Sequence, residues 1–83
     1  MLHVSVISPE KVLFEGDVDS VIAPAFDGEL GILTDHAAMV TLLGSGTLRL
    51  GPDVTGRRFH VEGGFLQVAD NQVRVVTEKA VAA

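Results

Sequence analysis

The chain predicts a small all-β sandwich built from short, mostly antiparallel strands. Three observations lead there. Apolar residues make up 47% of the chain, yet the only aromatics are four Phe, so Val, Leu, Ile and Ala must fill the core. Val leads that set, and β-branched side chains favour strands. Gly, Pro, Asp and Asn punctuate the chain at intervals of about 8–12 residues, a spacing typical of a sandwich.

The elements follow in order. Leu2, Val4 and Val6 alternate with His3, Ser5 and Ile7, which reads as a strand that Pro9 ends. Residues 12–15 read as a short second strand turned by Gly16-Asp17, and residues 18–23 as a buried third strand closed by Pro24. Asp27-Gly28 is a hairpin signal, because Asp tolerates a left-handed backbone and Gly adopts one at little cost. The segment from Asp27 to Ala37 then reads as a loop tied down by Leu30, Ile32 and Leu33, with Glu29 at its tip. Residues 36–43 have helix-favouring Ala, Met and Leu, but their setting between turn signals argues for strand. Residues 47–50 form a further strand ended by Gly51-Pro52, and residues 53–56 a turn. Phe59 and Val61 share one face of a strand over 58–62, and Gly63-Gly64 permits a bend or bulge. Residues 65–69 and 72–78 are strands joined by a turn at Asp70-Asn71. Five residues remain after Glu78, too few to sustain a helix.

Eighty-three residues suit one domain, 1–83, with a modest stability margin. There is no cysteine, so neither disulfides nor thiolate metal sites support the fold. No stretch approaches the ~18 apolar residues of a spanning helix, and no basic region precedes an apolar one at the N-terminus. Any membrane association is therefore expected through another protein. Residues 1–41 hold seven acids against Lys11, a net of −6, while the second half holds four acids against five bases, a net of +1. Nucleic acid is not an expected partner, since phosphate binding wants clustered Lys and Arg. An acidic half fits docking to a basic or polar protein surface.

Catalytic patterns are missing from the sequence. His3, His36 and His60 lack metal-ligand spacing, and Asp35 and His36, as strand neighbours, would point to opposite faces. Ser45 between Gly44 and Gly46 is not a nucleophile elbow, and neither Lys11 nor Lys79 follows a phosphate-binding glycine loop. Asp17 and Asp19 share a strand face and read as solvated carboxylates. No cofactor, metal or catalytic residue is assigned. Three function classes stand side by side: a subunit of a larger assembly without activity of its own, a β-sandwich adaptor for some other partner, and a small metal enzyme built on His36, His60 and nearby acids.

Six pieces of the chain, in order, decide among them. These are Val4-Ser5-Val6-Ile7-Ser8-Pro9 with Phe14-Glu15-Gly16; residues 18–24; the segment D-G-E-L-G-I-L over 27–33 followed by Asp35-His36-Ala37; Leu43-Gly44-Ser45-Gly46-Thr47-Leu48; Gly63-Gly64-Phe65-Leu66-Gln67-Val68; and residues 73–80. Together they resemble the β-sandwich of the epsilon subunit of F-type ATP synthases. Thr34 and Ala38 depart from that family's usual proline, Gln67 from a frequent Glu, and residue 83 falls before the helical hairpin of longer members.

The resemblance implies a non-catalytic rotor subunit at the foot of the central stalk. One side would pack on the gamma subunit and the bottom would meet the polar loops of the c-ring, coupling ring rotation to ATP synthesis. Residue by residue, Glu29 matches the acidic position that meets arginine-bearing ring loops, with Gly28, Leu30 and Ile32 beside it. His36 and Thr41 match positions facing gamma, and Met39 shares the side of Thr41. The implied location is the cytoplasmic face of a bacterial inner membrane, held peripherally through the complex. Without the hairpin, neither ATP sensing nor inhibition by an extended tail is expected.

Overall fold

Ten strands form two five-stranded sheets in the computed structural model, which describes residues 1–51 and 57–82. The first sheet has the order β2-β1-β9-β8-β5, from Val12–Val18, Leu2–Ile7, Gln72–Val76, Phe65–Ala69 and Met39–Leu42. The second has the order β10-β7-β6-β3-β4, from Lys79–Ala82, Arg58–Glu62, Ser45–Leu50, Ser20–Ala25 and Gly28–Leu33. All pairs are antiparallel except β1 with β9. The core lies between the sheets. Leu2, Val4 and Val6 of β1, Leu48 of β6, Val61 of β7 and Leu66 of β8 are fully buried there. Strand alternation explains that list, since every second side chain turns inward.

Several boundaries differ from the sequence expectation. Gly16-Asp17 is not a turn; β2 continues through it to Val18. A Cβ on Gly16 would sit 3.3 Å from Cζ of Phe14, so this glycine makes room for an inward-folded ring. Pro24 does not close β3, which runs on to Ala25. The Pro24 carbonyl accepts the Gly44 amide at 2.8 Å, away from β4, and the N and C=O of one residue in an antiparallel strand share a side. Its missing N–H therefore removes no β3–β4 bond. The segment read as a loop is mostly strand, β4, paired with β3 from Gly28 opposite Ala25 to Leu33 opposite Ser20. Only β5 forms within residues 36–43, with an isolated bridge between Leu43 and Ala25. The turn expected over 53–56 lies outside the described residues.

The strand expected over 72–78 is shorter, and a further strand follows it. β9 stops at Val76, the chain changes sheet at Thr77-Glu78, and β10 pairs with β7. Three sheet changes meet at this corner: Leu43-Gly44, Gly63-Gly64 and Thr77-Glu78. The Leu43 amide donates to the Gly64 carbonyl at 2.9 Å, and the Gly63 amide to the Gly44 carbonyl at 3.3 Å. The buried Thr77 hydroxyl faces three carbonyl oxygens, those of Lys79 at 2.9 Å, Gly63 at 3.0 Å and Glu62 at 3.4 Å. Its single hydrogen serves one of them at a time. Gly64 has φ +104°, and a Cβ there would collide with the Val76 carbonyl.

Candidate functional site

Glu29 is exposed near the start of β4, beside the Phe26-Asp27 turn. Its carboxylate accepts a hydrogen bond from Nη2 of Arg49 on β6 at 2.9 Å, reaching across β3. Thr47 and Arg58 complete an open depression around the pair. Gly28 is exposed at φ +136°, but it opens β4 opposite Ala25 and Asp27 is not left-handed, so the two-residue turn is Phe26-Asp27 rather than the Asp27-Gly28 pair of the hairpin signal. Leu30 is half-buried and packs against the core. Ile32 is fully buried, a correction to its assignment beside Glu29 as a contact residue: its side chain belongs to the sandwich interior.

His36 lies past β4, in a connection that turns where the His36 amide donates to the Leu33 carbonyl at 3.2 Å. The imidazole Nδ1 donates to the Ala37 carbonyl at 2.8 Å. A carbonyl only accepts, so this contact places the hydrogen on Nδ1 and leaves Nε2 for another partner. Met39 and Thr41 do share a side of β5. They stand opposite Val68 and Leu66, both core residues, and are half-buried. Their neighbours Val40 and Leu42 point outward, 67% and 62% exposed.

The sequence reading missed what surrounds these two. Leu42 stands opposite Phe65, Phe65 opposite Val76, Val76 opposite Ile7, and Ile7 opposite Val12. These five form an apolar row across the whole outer face of the first sheet. Exposed Phe26 joins its β5 end, where the Phe26 amide donates to the Leu42 carbonyl at 3.0 Å. A signal existed in the run Met39-Val40-Thr41-Leu42-Leu43. A strand with apolar residues at both alternations must expose one set if only one face meets a core.

At the β2 side the same face carries charge. His3 lies between Asp17 at 3.0 Å and Glu15 at 3.3 Å, and hydrogen bonding to these carboxylates, Asp17 foremost, raises its pKa above the ordinary 6.5. His3, His36 and His60 do not converge, and among the described residues no three His, Asp or Glu side chains are placed to hold a metal ion. No helix of the structure is long and apolar enough to cross a membrane.

Among the described residues, fold and surface define a mostly antiparallel β-sandwich domain whose charged and apolar side chains gather on open faces and strand ends. Residues 1–83 match the family described as the ATP synthase delta/epsilon chain β-sandwich domain, and the chain belongs to that family. It is 47% identical over 77 residues to an ATP synthase epsilon chain of Leptospira borgpetersenii, covering 93% of this chain and 61% of that one. A Caulobacter vibrioides ATP synthase epsilon chain is 38% identical over 82 residues, covering 99% of this chain and 95% of the relative. The chain thus spans about three-fifths of the Leptospira protein but nearly all of the Caulobacter one. The fold matches a chain in a Euglena gracilis mitochondrial ATP synthase structure with a TM-score of 0.89 at 23% identity, over 98% of this chain and 52% of that one.

Proposed function

We propose that this chain is a non-catalytic central-stalk subunit of an ATP synthase, joining the gamma subunit to the c-ring and coupling ring rotation to the catalytic hexamer. The observation that carries the gamma side is the apolar cluster of Phe26, Val40, Leu42 and Phe65 at edge strand β5, beside Thr41 and the His36 segment. A cluster of large exposed side chains on one sheet edge suits a protein partner. Glu29 is the ring contact. Its carboxylate is already shared with Arg49, so a ring arginine adds a second charge-assisted bond rather than a first. An exposed pair of this kind contributes only about 0–1 kcal/mol. The β-sandwich reaches the membrane surface through the complex, at the cytoplasmic face of a bacterial inner membrane.

The test is a titration with purified gamma subunit. Leu42→Arg is expected to weaken binding at least tenfold, because a guanidinium buried against an apolar partner is left unpaired. Thr41→Arg should act in the same direction. Unchanged affinity in both variants would remove β5 from the gamma interface. For the ring, Glu29→Cys should form a disulfide with a cysteine placed in the c-ring loop, while Glu29→Ala alone should change coupling little. Cross-linking from residues 53–56 instead would reverse the orientation.

A further inference from the structure

We infer that Asn71 is a positioning residue for the docking segment around His36, an inference that rests on the docking reading above. The connection from β4 to β5 contains no proline, and residues 36–38 belong to no strand. Besides its own Leu33–His36 turn, the connection has an anchor outside itself. The Asp35 amide donates to Oδ1 of Asn71, and Nδ2 of Asn71 donates to Oδ1 of Asp35 at 3.2 Å. The two bonds close a reciprocal clamp between segments 36 residues apart. They also fix the Asn71 amide, since the opposite orientation would set its NH₂ against the Asp35 N–H.

The anchor side of the clamp is firm. Asp70-Asn71 turns the β8–β9 hairpin with φ of 50° and 61°, and the Asn71 carbonyl accepts the His3 amide of β1 at 2.9 Å. Asp35, immediately before His36, has φ 67°. Asn and Asp visit this left-handed region at low cost, so both positions tolerate the backbone the clamp demands. The docking side hangs from the Leu33–His36 turn and from Asn71. One half-buried amide side chain thus carries the placement of His36 from a hairpin that sequence reading treats only as a turn.

Paired variants test the clamp by rescue. Asn71→Gly keeps the positive φ and removes the side chain. Asn71→Asp leaves an acceptor but sets two carboxylates face to face. The Asp35→Asn/Asn71→Asp double variant exchanges amide and carboxylate between the two segments and restores both bonds. Two readouts are needed: hydrogen exchange of the Asp35 and His36 amides, and gamma affinity by calorimetry. Each single Asn71 variant should speed exchange at Asp35 about tenfold and weaken gamma binding about three- to tenfold, the scale of one or two net hydrogen bonds. The double variant should return both to near the parent values. Unchanged exchange in the single variants overturns the clamp whatever gamma does. Faster exchange with unchanged affinity, or lost affinity that the exchange of side chains does not restore, overturns the positioning role. A parent chain that fails to bind gamma refutes the docking reading instead, and the exchange readout still decides the clamp.

Discussion

His3 on β1 faces two carboxylates on its β2 side, Asp17 and Glu15, while the neighbouring β9 positions carry Gln72 and Arg74. The raised pKa means the folded chain holds the proton more tightly than the unfolded one. The stabilisation is therefore complete below the unfolded value of 6.5 and fades as pH rises through the folded value. An NMR titration should place the His3 midpoint above 6.5, and Asp17→Asn with Glu15→Gln should lower it. A midpoint unmoved by those substitutions would break the assignment of cause. Thr77 makes a different residue-scale prediction, because its hydroxyl is 1% exposed and sits among three carbonyls. Thr77→Val should cost about 1–2 kcal/mol in urea unfolding, with Thr77→Ser losing less because it keeps the donor.

β10 shows how an element escapes a sequence reading. Its register, Lys79 opposite Glu62 through Ala82 opposite Phe59, covers the edge of β7, and Ala80 packs against the core. Removing residues from 79 onward should therefore lower stability by about 1–3 kcal/mol, through lost ladder bonds, and expose β7 to association. Urea unfolding with light scattering would check both, and an unchanged midpoint would count against the pairing. The strand was not legible because Lys79-Ala80-Val81-Ala82 has helix-favouring alanines, and only its partner selects the extended form. β7, β8 and β9 were legible because each alternates between buried and exposed residues against a single core. Gly16 and Pro24 misled because the glycine makes room for the Phe14 ring within a strand and the proline nitrogen faces away from β4 on the side of Gly44, a neighbour that only the fold brings near. At the candidate site, Glu29 was legible as an exposed acid. The apolar row was not, since it exists only through register across five strands.

The buried residues of both sheets form a continuous core among the described residues, so damage at its centre should be felt in both sheets. Leu48 is fully buried, and Leu48→Ala should cost about 3–5 kcal/mol. A domain of this size has about 4–12 kcal/mol in total, so urea unfolding of that variant should begin at markedly lower denaturant. A loss below 1 kcal/mol would mean the two sheets do not close over Leu48. The parallel pairing of β1 with β9 also sets a timetable. His3 stands opposite Gln72, so the first strand gains its inner neighbour only after some seventy residues have been made. During synthesis, the β1–β2 ladder can close early, but the side of β1 destined for β9 waits with its backbone groups unpaired. Leu2, Val4 and Val6 wait with it, since their burial needs the opposing sheet. At about 5–20 residues per second the delay lasts several seconds, a window in which a nascent chain is open to chaperones and to mispairing with its neighbours on the same messenger RNA.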